Sequence, residues 1–113
     1  MAIEMMQPTV LTAAEVTELP VGPLGSLPGI GNRVLWQDDT SIAGVMTVAA
    51  GHRLGTHAHR ANSHHMWILE GSAVILDDEL GPGSYVHIPT GIEHDIDATA
   101  TDGCTVYYLY LRD

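Results

Sequence analysis

Short segments of alternating apolar and polar residues dominate the chain from Arg33 onwards. They are rich in Val, Ile, Thr and Tyr, recur about every 8–12 residues, and have Gly, Pro or Asp at their joints. No long segment shows helical periodicity. The predicted strands are Arg33–Gln37, Ser41–Ala50, Thr56–Arg60, His64–Leu69, Ser72–Leu76, Glu79–Leu80, Ser84–Ile88, Glu93–Ala98 and Thr105–Leu111. This pattern predicts an all-β antiparallel sandwich or barrel.

The first thirty residues are weakly patterned. Thr12–Leu19 is predicted to form one or two helical turns, with Thr12 as N-cap and Glu15 completing a capping box. Prolines and glycines then favour loop or extended backbone. We therefore predict that residues 1–30 form an N-terminal arm, which lies on the domain or at a dimer interface, and that residues 31–113 form the barrel.

Histidines are concentrated in one part of the chain, because five of the seven lie within residues 51–71. His57 and His59 are two residues apart, so on a strand their rings project to the same side. Another strand supplies His64, and His94 follows a Pro-Thr-Gly turn. Neutral imidazole is a common ligand of Zn, Cu, Fe and Ni. This pattern predicts a metal site assembled from three segments.

Composition excludes several classes of partner. The 113 residues are enough for one domain, and they carry 14 acidic side chains against four basic ones, a formal net charge of −10. Such a chain has no basic patch for nucleic acid and would be repelled by an anionic membrane. The longest near-apolar run, Ile42–Gly51, is about half of the roughly 20 residues that a spanning helix needs. With one cysteine and no charged, apolar leader, we expect a cytoplasmic protein.

The histidine segments resemble the paired motifs of the cupin superfamily. The first motif is matched at its glycines and histidines, with a histidine in the slot where relatives carry glutamate: Gly51, His57, His59, His64 and Gly71. The second is matched at four positions, with Ala98 in the slot of an asparagine: Gly83, Pro89, Gly91 and His94. The resemblance implies a single-domain jelly-roll β-barrel over about residues 28–113.

The same resemblance implies a ligand set and a cavity. It assigns one divalent transition metal (Fe, Mn, Ni, Zn or Cu) to four histidines: His57, His59, His64 and His94. Met66 and Ile68 share the face of His64 on a strand, so we expect them to line the cavity. His65 should face the opposite side. The tyrosines of the last strand, at positions 107, 108 and 110, are assigned chiefly to the core or an interface, although one could reach the cavity.

Two groups of small cupins resemble this chain most. The sensor domains of zinc-dependent anti-sigma factors share Leu69-Glu-Gly71 and Gly103-Cys-Thr105, and the dioxygenases that cleave acetylacetone and dihydroxyacetophenone share the Gly83-Ser-Tyr85 run. We therefore expect a homodimeric, metal-dependent oxygenase that acts on a small enol- or diketone-like molecule. The alternatives are a non-catalytic metal or ligand sensor, or a metal-dependent lyase or isomerase.

The ligand count leaves the choice between catalysis and structure open. Four neutral imidazoles leave the ion its full charge of 2+, which favours an anionic or chelating oxygen ligand. An octahedral ion would keep two open positions for substrate and O₂, as in facial-triad iron oxygenases. A tetrahedral zinc ion would be closed by four histidines and would serve a structural role.

Overall fold

The computed structural model describes residues 7–23, 27–58 and 61–112. Over these residues the chain forms one short helix and eight strands. In chain order these are α1 (Ala13–Glu18), β1 (Gly22–Pro23), β2 (Ile30–Gln37), β3 (Ser41–Ala49), β4 (Asn62–Gly71), β5 (Ala73–Ile75), β6 (Asp78–Leu80), β7 (Tyr85–Ile88) and β8 (Gly103–Arg112). Within this part of the chain no helix has the length and apolar character that a membrane span requires.

One antiparallel sheet forms most of the molecule. Its six strands lie in the order β1-β2-β3-β8-β4-β7, and β5 and β6 form a separate hairpin. The last strand, β8, pairs on one side with β3 from Gly103 to Leu111 and on the other with β4 from Cys104 to Arg112. The predicted all-β class is confirmed.

A second layer faces this sheet and is held by single bridges rather than by a continuous ladder. His57 pairs with His94, and Asp97 pairs with both Arg53 and Val74, all antiparallel. The prediction of a continuous strand over residues 93–98 is therefore wrong. The strand predicted at residues 56–60 is described only as far as Ala58, where it contributes the His57 bridge; positions 59 and 60 lie outside the described residues.

One acidic side chain takes a backbone donor of the facing segment, and another closes the turn that follows. The carboxylate of Asp95 accepts a hydrogen bond from the Gly55 N–H at 2.7 Å, and the carboxylate of Asp97 accepts one from the Thr99 N–H at 2.9 Å. Short acidic side chains that bind backbone donors compete with strand pairing. The layer thus consists of turns that are held by a few backbone bridges and by these side-chain hydrogen bonds.

The N-terminal helix has the predicted capping box. The Thr12 side chain accepts a hydrogen bond from the Glu15 N–H at 3.2 Å, and the Glu15 carboxylate accepts one from the Thr12 N–H at 3.3 Å. The Nε of Arg33 donates to the carbonyl of Leu19 at 3.2 Å, which ties the end of the helix to β2. The described part of the arm therefore lies on the domain, and its predicted role at a dimer interface stays a prediction.

Pairing in the structure extends two of the predicted elements. Pro23 lies in a two-residue strand, β1, that pairs with the start of β2. On its other side the start of β2 pairs with β3, and with Ile30 opposite Val48 the strand begins three residues before the predicted Arg33. Similarly, β8 begins at Gly103 rather than at Thr105, because its first residues pair with Ala49 and Val48 of β3.

The hydrophobic core lies between the six-stranded sheet and the bridged layer. Its most deeply buried large side chains come from both layers: Val48, Met66, Ile68, Ile75, Ile88, Ile96 and Val106. Burial of one such side chain contributes about 1.5–3 kcal/mol to folding. Three residues of this core, Met46, Leu54 and Tyr108, also line a cavity that His57 and His64 share.

Position 71 requires a glycine because the backbones of β4 and β8 lie very close together there. Its φ is 70°, and a Cβ built on it would collide with the carbonyl oxygen of Gly103 on the neighbouring strand β8. A side chain at this position would therefore force β4 and β8 apart. By contrast, a Cβ at Gly81 would have no heavy atom within 4 Å, and its φ is not in the positive range.

We predict that Gly71→Ala lowers the free energy of unfolding by about 2 kcal/mol or more, because it combines backbone strain with the collision. Gly81→Ala, the matched control, should change it by less than about 0.5 kcal/mol. Urea unfolding of the two variants and the unmodified chain measures both values. Equal stabilities of the two variants would contradict the assigned approach of β4 and β8.

Candidate functional site

His57 and His94 are brought together by a reciprocal pair of backbone hydrogen bonds. The N–H of His57 donates to the carbonyl of His94 at 2.9 Å, and the N–H of His94 donates to the carbonyl of His57 at 2.8 Å. Residues directly opposite each other in an antiparallel pair project to the same face. Their ring centroids accordingly lie 4.3 Å apart. Two histidines separated by 37 positions in sequence therefore share one location.

Both rings are oriented by a carbonyl two residues earlier in the chain. The Nδ1 of His57 lies 2.7 Å from the carbonyl oxygen of Gly55, and the Nδ1 of His94 lies 2.9 Å from that of Ile92. A carbonyl only accepts, so each Nδ1 carries the proton and donates it. In the neutral ring the lone pair is then on Nε2, which is the usual arrangement of a histidine that ligates a metal.

Burial favours the neutral form of His94. The side chain is 4% exposed, and loss of hydration lowers its pKa below the ordinary value for histidine. The hydrogen bond to Ile92 acts in the opposite direction, and the neighbouring His57 adds to the lowering. His94 is therefore neutral at pH 7, the protonation state that a metal ligand needs.

His64 approaches the pair from β4. It is also 4% exposed, and its ring centroid lies 5.6 Å from that of His94 and 4.8 Å from that of Tyr110. On the sheet it stands between Ile88 of β7 and Tyr110 of β8. Three of the four predicted ligands are thus neighbours, although they come from three separate segments.

The fourth predicted ligand, His59, lies outside the described residues. Among the residues that are described, no group of three or more His, Cys, Asp or Glu side chains is arranged so as to hold a metal ion. What the described part of the site shows is an imidazole cluster with fixed tautomers at two of its three members. The ligand set itself stays a prediction.

A cavity of about 320 Å³ opens beside the cluster. Its walls are apolar except for the histidines, one amide and two phenols. They are formed by Asn32, Val34, Ile42, Met46, Leu54, His57, His64, Tyr108 and Tyr110. This volume suits a small molecule, and the apolar walls would hold it away from bulk water.

Two tyrosines of β8 and one asparagine of β2 supply the polar groups of this cavity. The hydroxyl of Tyr108 donates to Oδ1 of Asn32 at 2.7 Å, and burial raises the pKa of Tyr108. The ring lies against Gly44, where a Cβ would come within 2.5 Å of it. From the sequence we expect the tyrosines chiefly in the core or at an interface, with one that could reach the cavity. Asn32 has no such signal, because its strand position carries no motif. Alternation along β8 does separate Tyr108 and Tyr110 from the exposed Tyr107.

Asp95 is a supporting residue that no motif in the sequence marks. Besides the Gly55 N–H, its carboxylate binds the guanidinium of Arg53, with Nε at 2.6 Å. These contacts fix the turn that leads into His57 and that contains the carbonyl that orients its ring. The signal in the sequence was the position of Asp95 directly after His94.

Met66 and Ile68 do share the face of His64, but they lie deeper. Both are almost completely buried and belong to the hydrophobic core. The lining of the cavity comes from β2, β3 and β8 together with Leu54, His57 and His64. Neither Met66 nor Ile68 is among the residues that line this cavity, and their role as cavity-lining residues stays a prediction.

Comparison with solved structures identifies the architecture. A predicted oxalate decarboxylase from Thermotoga maritima matches with a TM-score of 0.76 at 15% identity, over 87% of this chain and 96% of that one. The polyketide cyclase RemF from Streptomyces resistomycificus matches with a TM-score of 0.75 at 20% identity, over 92% and 81%. The complex of Rhodobacter sphaeroides SigE with the anti-sigma ChrR contains a match with a TM-score of 0.68 at 19% identity, over 86% of this chain and 50% of the matched one. At such identities the likeness shows the fold.

No curated protein sequence matches the chain. The family model described as the ChrR cupin-like domain matches residues 7–111, which is nearly the whole chain. Together with the jelly-roll architecture, this match shows that the chain belongs to the family of ChrR cupin-like domains.

Proposed function

We propose that this protein is a metal-dependent oxygenase that acts on a small enol- or diketone-like molecule bound in the cavity. The observation that carries the proposal is that His57 and His64 line an apolar cavity of about 320 Å³ whose only other polar side chains, among the described residues, are Asn32, Tyr108 and Tyr110. A structural site would not need such a cavity beside it.

The donor chemistry fits a divalent transition metal. The Nδ1 atoms of His57 and His94 are tied to carbonyls, so the lone pair of each neutral ring is on Nε2. His64 approaches the same location, and His59 would complete a set of four. All-nitrogen ligation disfavours calcium and magnesium, which prefer oxygen, and suits Fe, Mn, Ni, Zn or Cu.

A divalent ion held by these residues would supply Lewis acidity and positions for a chelating oxygen ligand and O₂. The protein supplies binding and exclusion of water. Val34, Ile42 and Met46 form an apolar wall, which suits the carbon skeleton of a small ketone. The same wall keeps water from reactive intermediates.

The polar groups of the cavity are suited to orienting an oxygenated substrate. The hydroxyl proton of Tyr108 is directed to Oδ1 of Asn32, so the amide Nδ2 of Asn32 remains the donor group of this pair. Burial raises the pKa of Tyr108 and of Tyr110, and both phenols are therefore neutral at pH 7. Neutral donors can hold a carbonyl or enolate oxygen in place without adding a charge.

We predict that His57→Ala and His94→Ala each lose most of the metal retained after dialysis, because each removes an oriented imidazole ligand. His52→Ala is the control, since this histidine packs against Gly29 and does not line the cavity. Elemental analysis of the dialysed proteins gives the metal content per chain. Retention of metal by both site variants would contradict the proposed ligand set.

His64 occupies the slot where related cupins carry glutamate, so its variants separate metal binding from reactivity. We expect His64→Glu to retain metal, because a carboxylate is also a ligand, and to alter turnover because the charge of the site falls by one. His64→Ala should lower metal content. X-ray absorption that finds unchanged metal content and unchanged nitrogen coordination in His64→Ala would show that His64 is not a ligand.

Turnover is tested with the Fe(II) form under air. We expect O₂ consumption with β-diketones, loss of at least about 100-fold in rate in His94→Ala, and no loss in His52→Ala, measured with an oxygen electrode. Absence of O₂ consumption across a panel of diketones and enols, with iron bound, would contradict the oxygenase proposal.

A sensor is the second candidate, and the family match favours it. The matching model is the ChrR cupin-like domain, and one of the structural matches is a complex of SigE with the anti-sigma ChrR. In this case the cavity would bind a ligand without turnover, and the chain would act on a partner protein. Native mass spectrometry that finds a stoichiometric protein partner, together with no O₂ consumption, would favour the sensor over the oxygenase. The predicted homodimer is tested in the same spectra.

A further inference from the structure

The outer face of β4 and β7 carries a second group of imidazole and aromatic side chains. Alternation along β4 places His64 and Met66 in the interior and turns His65 and Trp67 outwards. On β7, Tyr85 and His87 are exposed in the same way. The cavity described above lies on the other side of the sheet, so the function proposed for it does not use these four residues.

His65 and His87 are direct neighbours across the two strands. They are paired in register, and their ring centroids lie 4.7 Å apart with an angle of 22° between the ring planes. The N–H of Ile68 donates to the carbonyl of Ser84, and hydrogen-bonded pairs alternate with non-hydrogen-bonded ones. The hydrogen-bonded positions of β4 that face β7 are therefore Ile68, Met66 and His64. His65 lies between two of them, so His65 and His87 form a non-hydrogen-bonded pair, the kind whose side chains are closest.

Tyr85 orients one of these two rings. Its hydroxyl oxygen lies 2.6 Å from Nδ1 of His65. A phenol both donates and accepts, and an ion bound at Nε2 of His65 would leave the ring proton on Nδ1, which then donates to this oxygen. His57 and His94 also have an oxygen at Nδ1, which in their case is a carbonyl oxygen that can only accept. An imidazole held in this way is prepared to bind a metal ion.

We propose that His65 and His87 form an exterior binding site for one divalent transition ion per chain, such as Ni²⁺, Cu²⁺ or Zn²⁺, with Tyr85 as the positioning residue. Two neutral imidazoles on adjacent strands can chelate one ion, and water completes its shell because the site is open to solvent. The net charge of −10 raises the local concentration of cations. The site would join β4 to the edge strand β7.

Isothermal titration of the full chain with Ni²⁺ tests the proposal. The unmodified protein, with its interior site already filled, should bind one further equivalent. His65→Ala and His87→Ala should each weaken this binding by about 100-fold, because one imidazole cannot chelate. Tyr85→Phe should still bind one equivalent of Ni²⁺, with an affinity about tenfold lower, because it removes the orienting hydrogen bond. His52→Ala, the matched control, should change nothing.

A double variant that lacks two of the interior ligands distinguishes Ni²⁺ binding at the exterior site from binding at the interior site. In the double variant His57→Ala/His94→Ala, one equivalent of Ni²⁺ per chain should still bind at the exterior site. The result is therefore independent of whether the proposed oxygenase activity and the interior ligand set are correct. Ni²⁺ should also raise the thermal midpoint of the unmodified chain and not that of His87→Ala, since ligands that bind the native state stabilise it. Unchanged titration in both single variants would overturn the proposal. Half an equivalent per chain would also overturn it, since the ion would then bridge two copies.

Discussion

The double pairing of β8 is the constraint on which both faces of the molecule depend. This strand lies between β3 and β4 over nearly its full length, so its register fixes the position of each strand relative to the other. Alternation then assigns every second side chain to one face. Tyr108 and Tyr110 consequently reach the cavity beside His64, whereas Tyr107 joins the outer face beside Trp67.

The histidine cluster depends on a different and much smaller interaction. One reciprocal pair of backbone hydrogen bonds joins His57 to His94. Beside it the Gly55 N–H donates to the side chain of Asp95, and the Leu54 N–H donates to the carbonyl of Ile96. A longer ladder would add pairing but would straighten the turns. The turns are what place the carbonyls of Gly55 and Ile92 against the Nδ1 atoms, so a short bridge serves the orientation of the rings.

Several elements were predictable from local pattern alone. The capping box at Thr12 depends on residues three apart, and the strands β3, β4, β7 and β8 depend on alternation, so neighbours in sequence carry the signal. The ends of β2 and β8 were not predictable, because they are decided by partners on other strands. Alternation likewise gives the face of a residue and not its depth: Met66 and Ile68 share the face of His64 and belong to the hydrophobic core.

By itself, the sequence determined the all-β class, the family and the set of histidines to be considered, because motif spacing and period-two alternation are properties of neighbouring residues. The structure decided which of these histidines meet. It joined His57 to His94 and brought His64 beside them, and it paired His65 with His87 on the opposite face. It also added Asn32 and Asp95, which no motif marks, and placed Tyr108 and Tyr110 in the cavity. The physical reason is that strand register relates residues far apart in sequence, and register is set by the packing of the whole chain.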